Sequence, residues 1–284
     1  MLFTSESVDG EREKAAPTGR FYQRRNRPQR SRKPVTSLLP NLLTLSGMCC
    51  GLTGIHMAFK GALTSAIVAI LLASFFDGID GRVARKLGMA SRFGAELDSL
   101  SDSATFGISP AVIVYLFSLN ALGNFGWWAS LVFALCMSLR LARFNTCSIE
   151  NSNPAWMAGF ATGVPAPAGA YLLLMPLMAH QWLQISIAPW FYAGWTLFVS
   201  GLLVSRIPTM LLKGGKSPMS LQKAITTFLG VMAFVGCVYV QPWLTMMVIG
   251  VGYLVLLPIN ARKVYRRRDA LRSMEPVSAS ESAH

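Results

Sequence analysis

Long apolar stretches alternate with short polar ones along most of this 284-residue chain. Eight apolar stretches occur between positions 38 and 260, and each approaches the roughly 20 residues that an α-helix needs to cross a bilayer. The pattern predicts an all-α, polytopic integral membrane helix bundle with about eight transmembrane helices. The predicted spans are 38–58, 62–87, 95–119, 122–147, 160–180, 188–206, 223–240 and 242–260.

The positions of Lys and Arg support this topology, because these residues concentrate in cytoplasmic loops. If eight spans leave both termini in the cytoplasm, all of the 26 Lys and Arg except Lys60 fall on the cytoplasmic side. The loops at 82–92 and 206–223 are cationic, whereas 181–187 contains neither Lys nor Arg. The alternation predicts that both termini are cytoplasmic.

Composition supports a membrane protein and adds information mainly about the N-terminal and C-terminal tails. With 52% hydrophobic and 14% charged residues, the chain lacks the composition of a water-soluble protein. A net charge of +13 is compatible with nucleic-acid binding, but the basic tails are better explained as topology signals on anionic lipid, so we expect no nucleic-acid partner. We predict a flexible basic cytoplasmic tail at 1–33 with no signal-peptide core, a transmembrane domain at 34–261 and a basic, polar cytoplasmic tail at 262–284.

Cysteine and histidine do not indicate a zinc enzyme. The five cysteines include no CxxC pair, and the three histidines are far apart in the sequence. We expect the cysteines to be reduced packing residues.

Acidic residues are concentrated in one short segment of the apolar region. An ionised carboxylate within a membrane span costs a few kcal/mol on insertion scales and therefore usually marks a functional site. Between Pro34 and Ala261 the acidic residues are Asp77, Asp80, Glu96, Asp98, Asp102 and Glu150.

The spacing of the aspartates predicts that they converge. Asp77 and Asp80 are three residues apart and Asp98 and Asp102 four apart, so each pair shares one face of its helix. A short polar turn containing Gly88 can fold the second span back against the third. The resulting hairpin would bring the two pairs together.

A group of carboxylates of this kind suits hard divalent cations with oxygen ligands, such as Mg²⁺, Mn²⁺ or Ca²⁺. Without a cation, the carboxylates would repel one another. Basic residues in the same hairpin suit phosphate oxygens. These basic residues are Arg82, Arg85, Lys86 and Arg92.

Together these residues form the pattern Asp77-x-x-Asp80-Gly81-x-x-Ala84-Arg85, eight residues, then Gly94-x-x-x-Asp98-x-x-x-Asp102. The pattern resembles the signature of the CDP-alcohol phosphatidyltransferase family at every fixed position. The resemblance implies a membrane enzyme that moves a phosphatidyl group from a CDP-linked lipid to an alcohol and releases CMP.

By this resemblance, Asp77, Asp80, Asp98 and Asp102 bind two divalent cations, Mg²⁺ or Mn²⁺, and Asp102 is also the general base. The family pattern assigns no role to Glu96. The resemblance further implies a CDP-lipid site, although Asn41 and Thr44 could equally be helix-cap residues. The expected CDP-lipid contacts are Gly81, Ala84, Arg85, Ser91, Gly94, Asn41 and Thr44.

Several segments are similar to the bacterial phosphatidylserine synthase branch of the family, among them "SRFGAELDSLSDSATFGISPA" and "LRLARFN". This similarity implies transfer from CDP-diacylglycerol to L-serine. Arg140 and Arg143 share a helix face and can pair with the carboxylate of serine, with Asn145 adding a hydrogen bond. Both arginines could instead extend to lipid phosphate, and Glu150 fits an exposed loop.

Two alternatives remain at this stage. The first is the same chemistry with another acceptor: glycerol phosphate, inositol phosphate or choline. The second is an intramembrane cation transporter, which could also use acids within the membrane. A transporter would not need the glycines and Arg85 at these offsets. The resemblance favours a homodimer in the bacterial cytoplasmic (inner) membrane, with its active site facing the cytoplasm.

Overall fold

Helices form nearly all of the structure, a computed structural model that describes residues 38–86, 91–150, 160–205, 208–210 and 221–274. A π-helical segment, Ser103–Ile108, joins α3 to α4, and a 3-10 turn, Leu119–Leu122, precedes α5. The α-helices are α1 (Leu38–Phe59), α2 (Leu63–Lys86), α3 (Arg92–Asp102), α4 (Ser109–Phe117), α5 (Asn124–Glu150), α6 (Ala166–Leu183), α7 (Pro189–Val204), α8 (Leu221–Val240) and α9 (Pro242–Met274).

Each predicted span contains a helical stretch, and the all-α membrane bundle is confirmed. In the described part of the chain, five helical stretches are long and apolar enough to cross a membrane, and the shorter α7 and α8 are also apolar. The third of these stretches, Phe93–Phe117, includes α3, the π-helical segment and α4. α9 continues to Met274, beyond the predicted end of the membrane domain at 261.

The predicted start of the fifth span at residue 160 is wrong. Phe160–Thr162 is a β-strand, β1, which pairs antiparallel with β2, Pro208–Met210. Gly163 has a φ of +80°, and Pro165 disfavours helical backbone at the residue before it. The helix therefore begins only at Ala166, and the strand pair joins the segments that flank α6 and α7.

The core lies among α2, α4, α5, α6, α7 and the π-helical segment. α1 and α2 pack closely as an antiparallel pair joined by a tight turn at Gly61, whose φ is +73°. Ile70, Phe106, Phe133 and Leu173 are at most 1% exposed. This packing fixes α1 and α2 relative to each other.

We expect Gly126→Ala to destabilise the bundle, because a Cβ there would clash with the carbonyl oxygen of Leu119. Overpacking of this kind costs about 1–3 kcal/mol, so the unfolding temperature in detergent should fall. Gly194→Ala is the matched control, because nothing lies within 4 Å of its added Cβ. Equal unfolding temperatures for the two variants would contradict the close contact.

Candidate active site

Three of the four clustered aspartates meet at one point. Asp77 on α2 and Asp98 and Asp102 on α3 each offer a carboxylate oxygen, and these oxygens all lie within 4.8 Å of one another. The side chains of Asp77 and Asp102 are within hydrogen-bond distance of each other. The predicted convergence of acids from two helices is therefore present in the structure.

α1, rather than direct packing of α2 on α3, holds the two acidic helices together. Both helices pack on α1 and make few contacts with each other. The turn that contains Gly88 lies outside the described residues. The sequence analysis did not predict that α1 would pack against both of the helices that carry the acidic pairs.

Asp80 is not among the three carboxylates that lie within 4.8 Å of one another, and it accepts a hydrogen bond from α1. The Thr44 hydroxyl donates to Asp80 Oδ2 at 2.9 Å and lies 3.1 Å from the Pro40 carbonyl oxygen. Ser101 on α3 donates to the Thr44 carbonyl oxygen at 3.2 Å. Asp80 is 4% exposed and remains close enough to Asp98 and Asp102 to repel them electrostatically.

The donor set fits a hard divalent cation. Three carboxylate oxygens within 4.8 Å of one another can all bind one ion at the distances of about 2.0–2.6 Å that Mg²⁺ and Ca²⁺ prefer. The described electrostatic neighbours of Asp98 are three further aspartates, Asp77, Asp80 and Asp102. A cation would replace this repulsion by attraction.

Some of the residues that are expected to contact the CDP-lipid, but not all of them, lie together near the start of α3. Ser91 caps α3, because its hydroxyl accepts a hydrogen bond from the Gly94 backbone N–H at 3.0 Å. A Cβ on Gly94 would lie 3.1 Å from Ser91 Oγ and 3.3 Å from Asn41 Oδ1, so these three residues are neighbours. Gly81 faces open space, whereas the side chains of Ala84 and Arg85 lie outside the described residues.

The residues expected to bind the acceptor lie at the end of α5, and each contacts a different element. Arg140 Nε donates to the Val164 carbonyl oxygen. Arg143 Nη2 donates to the Val204 carbonyl oxygen at 3.0 Å. Asn145 Nδ2 donates to Ser99 Oγ at 2.7 Å and so connects α5 to α3.

Arg140 lies within electrostatic range of Asp102 on α3 and of Tyr253 on α9. The Tyr253 hydroxyl is buried and has no hydrogen-bond partner among the described residues. No local pattern could have indicated Tyr253, which follows Arg140 by more than a hundred residues. Thr105 was also missed, although its position one turn beyond Asp102 was a usable signal.

A protein-family model and several named proteins are similar in sequence to this chain. The family model described as CDP-alcohol phosphatidyltransferase matches residues 37–205, which include all four aspartates. A CDP-diacylglycerol–serine O-phosphatidyltransferase of Mycobacterium leprae is 37% identical over 239 residues, covering 82% of this chain and 77% of the relative. Proteins with the same name from Mycobacterium tuberculosis and Bacillus subtilis are 35% and 34% identical, covering 83% and 60% of this chain and 82% and 88% of the relatives.

Proposed function

The chain belongs to the CDP-alcohol phosphatidyltransferase family, and we propose that it transfers a phosphatidyl group from CDP-diacylglycerol to the hydroxyl of L-serine. The products are phosphatidylserine and CMP. The observation that carries this proposal is the meeting of Asp77, Asp98 and Asp102 within 4.8 Å, inside the segment that matches the family. The names of the relatives supply the donor and the acceptor.

Asp77, Asp80, Asp98 and Asp102 would hold two divalent cations, Mg²⁺ or Mn²⁺. Bound there, the cations would neutralise the pyrophosphate and stabilise the negative charge that develops on the leaving CMP. The Thr44 hydroxyl, by its bond to Asp80 Oδ2, keeps that carboxylate turned toward α1. Such hydrogen bonds to ligating carboxylates orient them before the ion arrives.

Asp102 is the proposed general base. It accepts the proton of the serine hydroxyl as the serine oxygen forms a bond to the lipid-bearing phosphorus and the bond from that phosphorus to CMP breaks. Its place among the clustered carboxylates and its electrostatic link to Arg140 support this role. A general base must lie within hydrogen-bond reach of the proton that it accepts, directly or through one water.

The donor lipid would bind across α1, α2 and the start of α3. Gly94 has no side chain between Asn41 and Ser91, which allows a phosphate or ribose group to approach the backbone. Arg85 would pair with phosphate oxygens. The remaining proposed donor contacts are Asn41, Thr44, Gly81, Ala84 and Ser91.

The acceptor would bind beside Arg140, with Arg143 and Asn145 completing its pocket. A guanidinium pairs well with a carboxylate, and of these three residues Arg140 is the one with a described interaction with Asp102. A serine whose carboxylate met Arg140 could therefore present its hydroxyl toward the proposed base.

The membrane setting and assembly follow from the same proposal. A multi-pass helical bundle agrees with the five candidate spans among the described residues. We propose that it lies in the bacterial cytoplasmic membrane with its active site facing the cytoplasm, where serine and CMP are soluble. We also propose a homodimer, and a monomeric mass after correction for bound detergent would contradict that assembly.

Removal of divalent cations tests the chemistry. We expect protein treated with EDTA to release no CMP from CDP-diacylglycerol and serine, and added Mg²⁺ or Mn²⁺ to restore release. A matched sample that receives Na⁺ at the same ionic strength controls for screening of the carboxylates. Full activity in excess EDTA would contradict the proposed cation dependence.

A further inference from the structure

A small cavity adjoins the carboxylates between α1, α2 and the π-helical segment. Its empty volume is about 180 Å³ including the space on its open side, and the part that the centre of a water-sized sphere can occupy is about 10 Å³, which is about the space that one buried water needs. Thr44, Asp77, Asp80, Ser101, Asp102 and Thr105 supply its polar lining.

Thr105 differs from the other hydroxyl residues of this cavity. The hydroxyls of Thr44 and Ser101 both donate hydrogen bonds to protein oxygens. Thr105 is 2% exposed, and its Oγ1 has no hydrogen-bond partner among the described residues. Since a buried hydroxyl without a partner costs about 1–3 kcal/mol, a partner in the cavity would account for its presence.

The π-helical segment explains why Thr105 has no partner within its own helix. Threonines in α-helices often donate to the carbonyl oxygen four residues earlier, as Thr53 and Thr146 do here. Thr105 lies in the wider turn Ser103–Ile108 and makes no such bond. π-helical turns inside α-helices are frequent at functional sites.

The side chain of Thr105 is also held in position from α1. A Cβ added to Gly51 would lie 2.9 Å from Thr105 Cγ2 and 3.1 Å from Thr105 Oγ1. Thr105 therefore packs against α1 where Gly51 leaves no room for a larger residue, and this close packing limits the freedom of its side chain. Thr105 lies about one helical turn beyond Asp102 and lines the same cavity as the acids.

We propose that Thr105 is a positioning residue for the cation site. Its hydroxyl holds a water molecule in the cavity, and that water hydrogen-bonds the carboxylates of Asp77 and Asp102 and fixes their orientation. Asp77, Asp102 and Ser101 line the same cavity and give the water the two to four polar partners that a buried water needs. The inference rests on the proposed function, because it takes the aspartates to be cation ligands.

Thermal unfolding of the full-length protein in detergent, titrated with MgCl₂ or MnCl₂ without substrates, tests this role. Thr105→Val keeps the shape of the side chain but removes the hydroxyl. We expect its apparent dissociation constant for the cation to rise about fivefold to tenfold, and its unfolding temperature in EDTA to equal or exceed that of the wild type. Thr105→Ser keeps the hydroxyl and should bind the cation like the wild type.

Ser130→Ala is the matched control, because Ser130 on α5 is another buried hydroxyl without a described partner and does not line the cavity. It should leave cation affinity unchanged. Wild-type cation affinity in Thr105→Val would overturn the proposal while leaving the proposed function intact, as would an equal loss in Thr105→Ser. If no cation stabilises the wild-type protein, the cation site itself is wrong, and this inference fails with it.

Discussion

Asp102→Asn is expected to abolish phosphatidyl transfer while the protein remains folded. Asparagine has nearly the shape of aspartate but neither accepts the proton of the serine hydroxyl nor contributes a negative oxygen to the cluster at Asp77 and Asp98. Loss of a general base alone typically costs 10²- to 10⁴-fold, so turnover should fall by at least about 10³-fold. The rate of CMP release from CDP-diacylglycerol with saturating serine and cation measures this effect.

The folded state of the variant is tested separately. Asp102 is repelled by Asp77, Asp98 and Asp80, and removing its charge relieves that repulsion. The unfolding temperature in EDTA should therefore not fall. Glu96→Gln is the matched control, because Glu96 is an exposed acid on the same helix with no proposed role, and it should keep nearly full activity. Substantial turnover by Asp102→Asn would exclude Asp102 as the base.

Arg140→Lys is expected to weaken serine binding more than any change at a surface cation. Lysine keeps the positive charge but loses the planar guanidinium, including the Nε that donates to the Val164 carbonyl oxygen. A hydrogen bond to a charged group contributes about 1.5–3 kcal/mol, so KM for serine should rise about tenfold to a hundredfold. KM for CDP-diacylglycerol should change little. Initial rates over a range of serine concentrations give both constants.

The control for this change is Arg262→Lys, because Arg262 is exposed on α9 and lies outside the family-matched segment. Its constants should match those of the wild type. If Arg140→Lys has an unchanged KM for serine, Arg140 does not bind the acceptor. A parallel rise in both KM values would instead indicate a disturbed fold around Val164.

The positions of the helices could be predicted because their signal is local. A run of about 20 apolar residues indicates a span without knowledge of its neighbours, and each predicted span contains a helical stretch. The meeting of Asp77 with Asp98 and Asp102 was also predictable, since it needs only helical spacing within each pair and a short connection. The start of α6 was predicted too early, because the prediction continued the apolar run through Gly163 and Pro165. These two residues interrupt the helix there.

Interactions between distant parts of the chain could not be predicted in the same way. The hydrogen bond from Thr44 to Asp80 joins residues 36 positions apart, and the contact between Gly51 and Thr105 depends on how α1 packs. The π-helical turn at Ser103–Ile108 has no periodicity that distinguishes it from ordinary helix. Tyr253 on α9 comes within electrostatic range of Arg140 on α5 only when the helices of the bundle have packed together.

The most direct test of the central claim is the identity of the lipid product. Purified protein is incubated with CDP-diacylglycerol, Mg²⁺ or Mn²⁺ and one labelled alcohol at a time: serine, glycerol phosphate, inositol phosphate or choline. We predict that label from serine alone enters lipid, as phosphatidylserine, with an equal amount of CMP released. Incorporation of another alcohol in place of serine would contradict the acceptor, and the absence of CMP release with every alcohol would contradict the proposed activity itself.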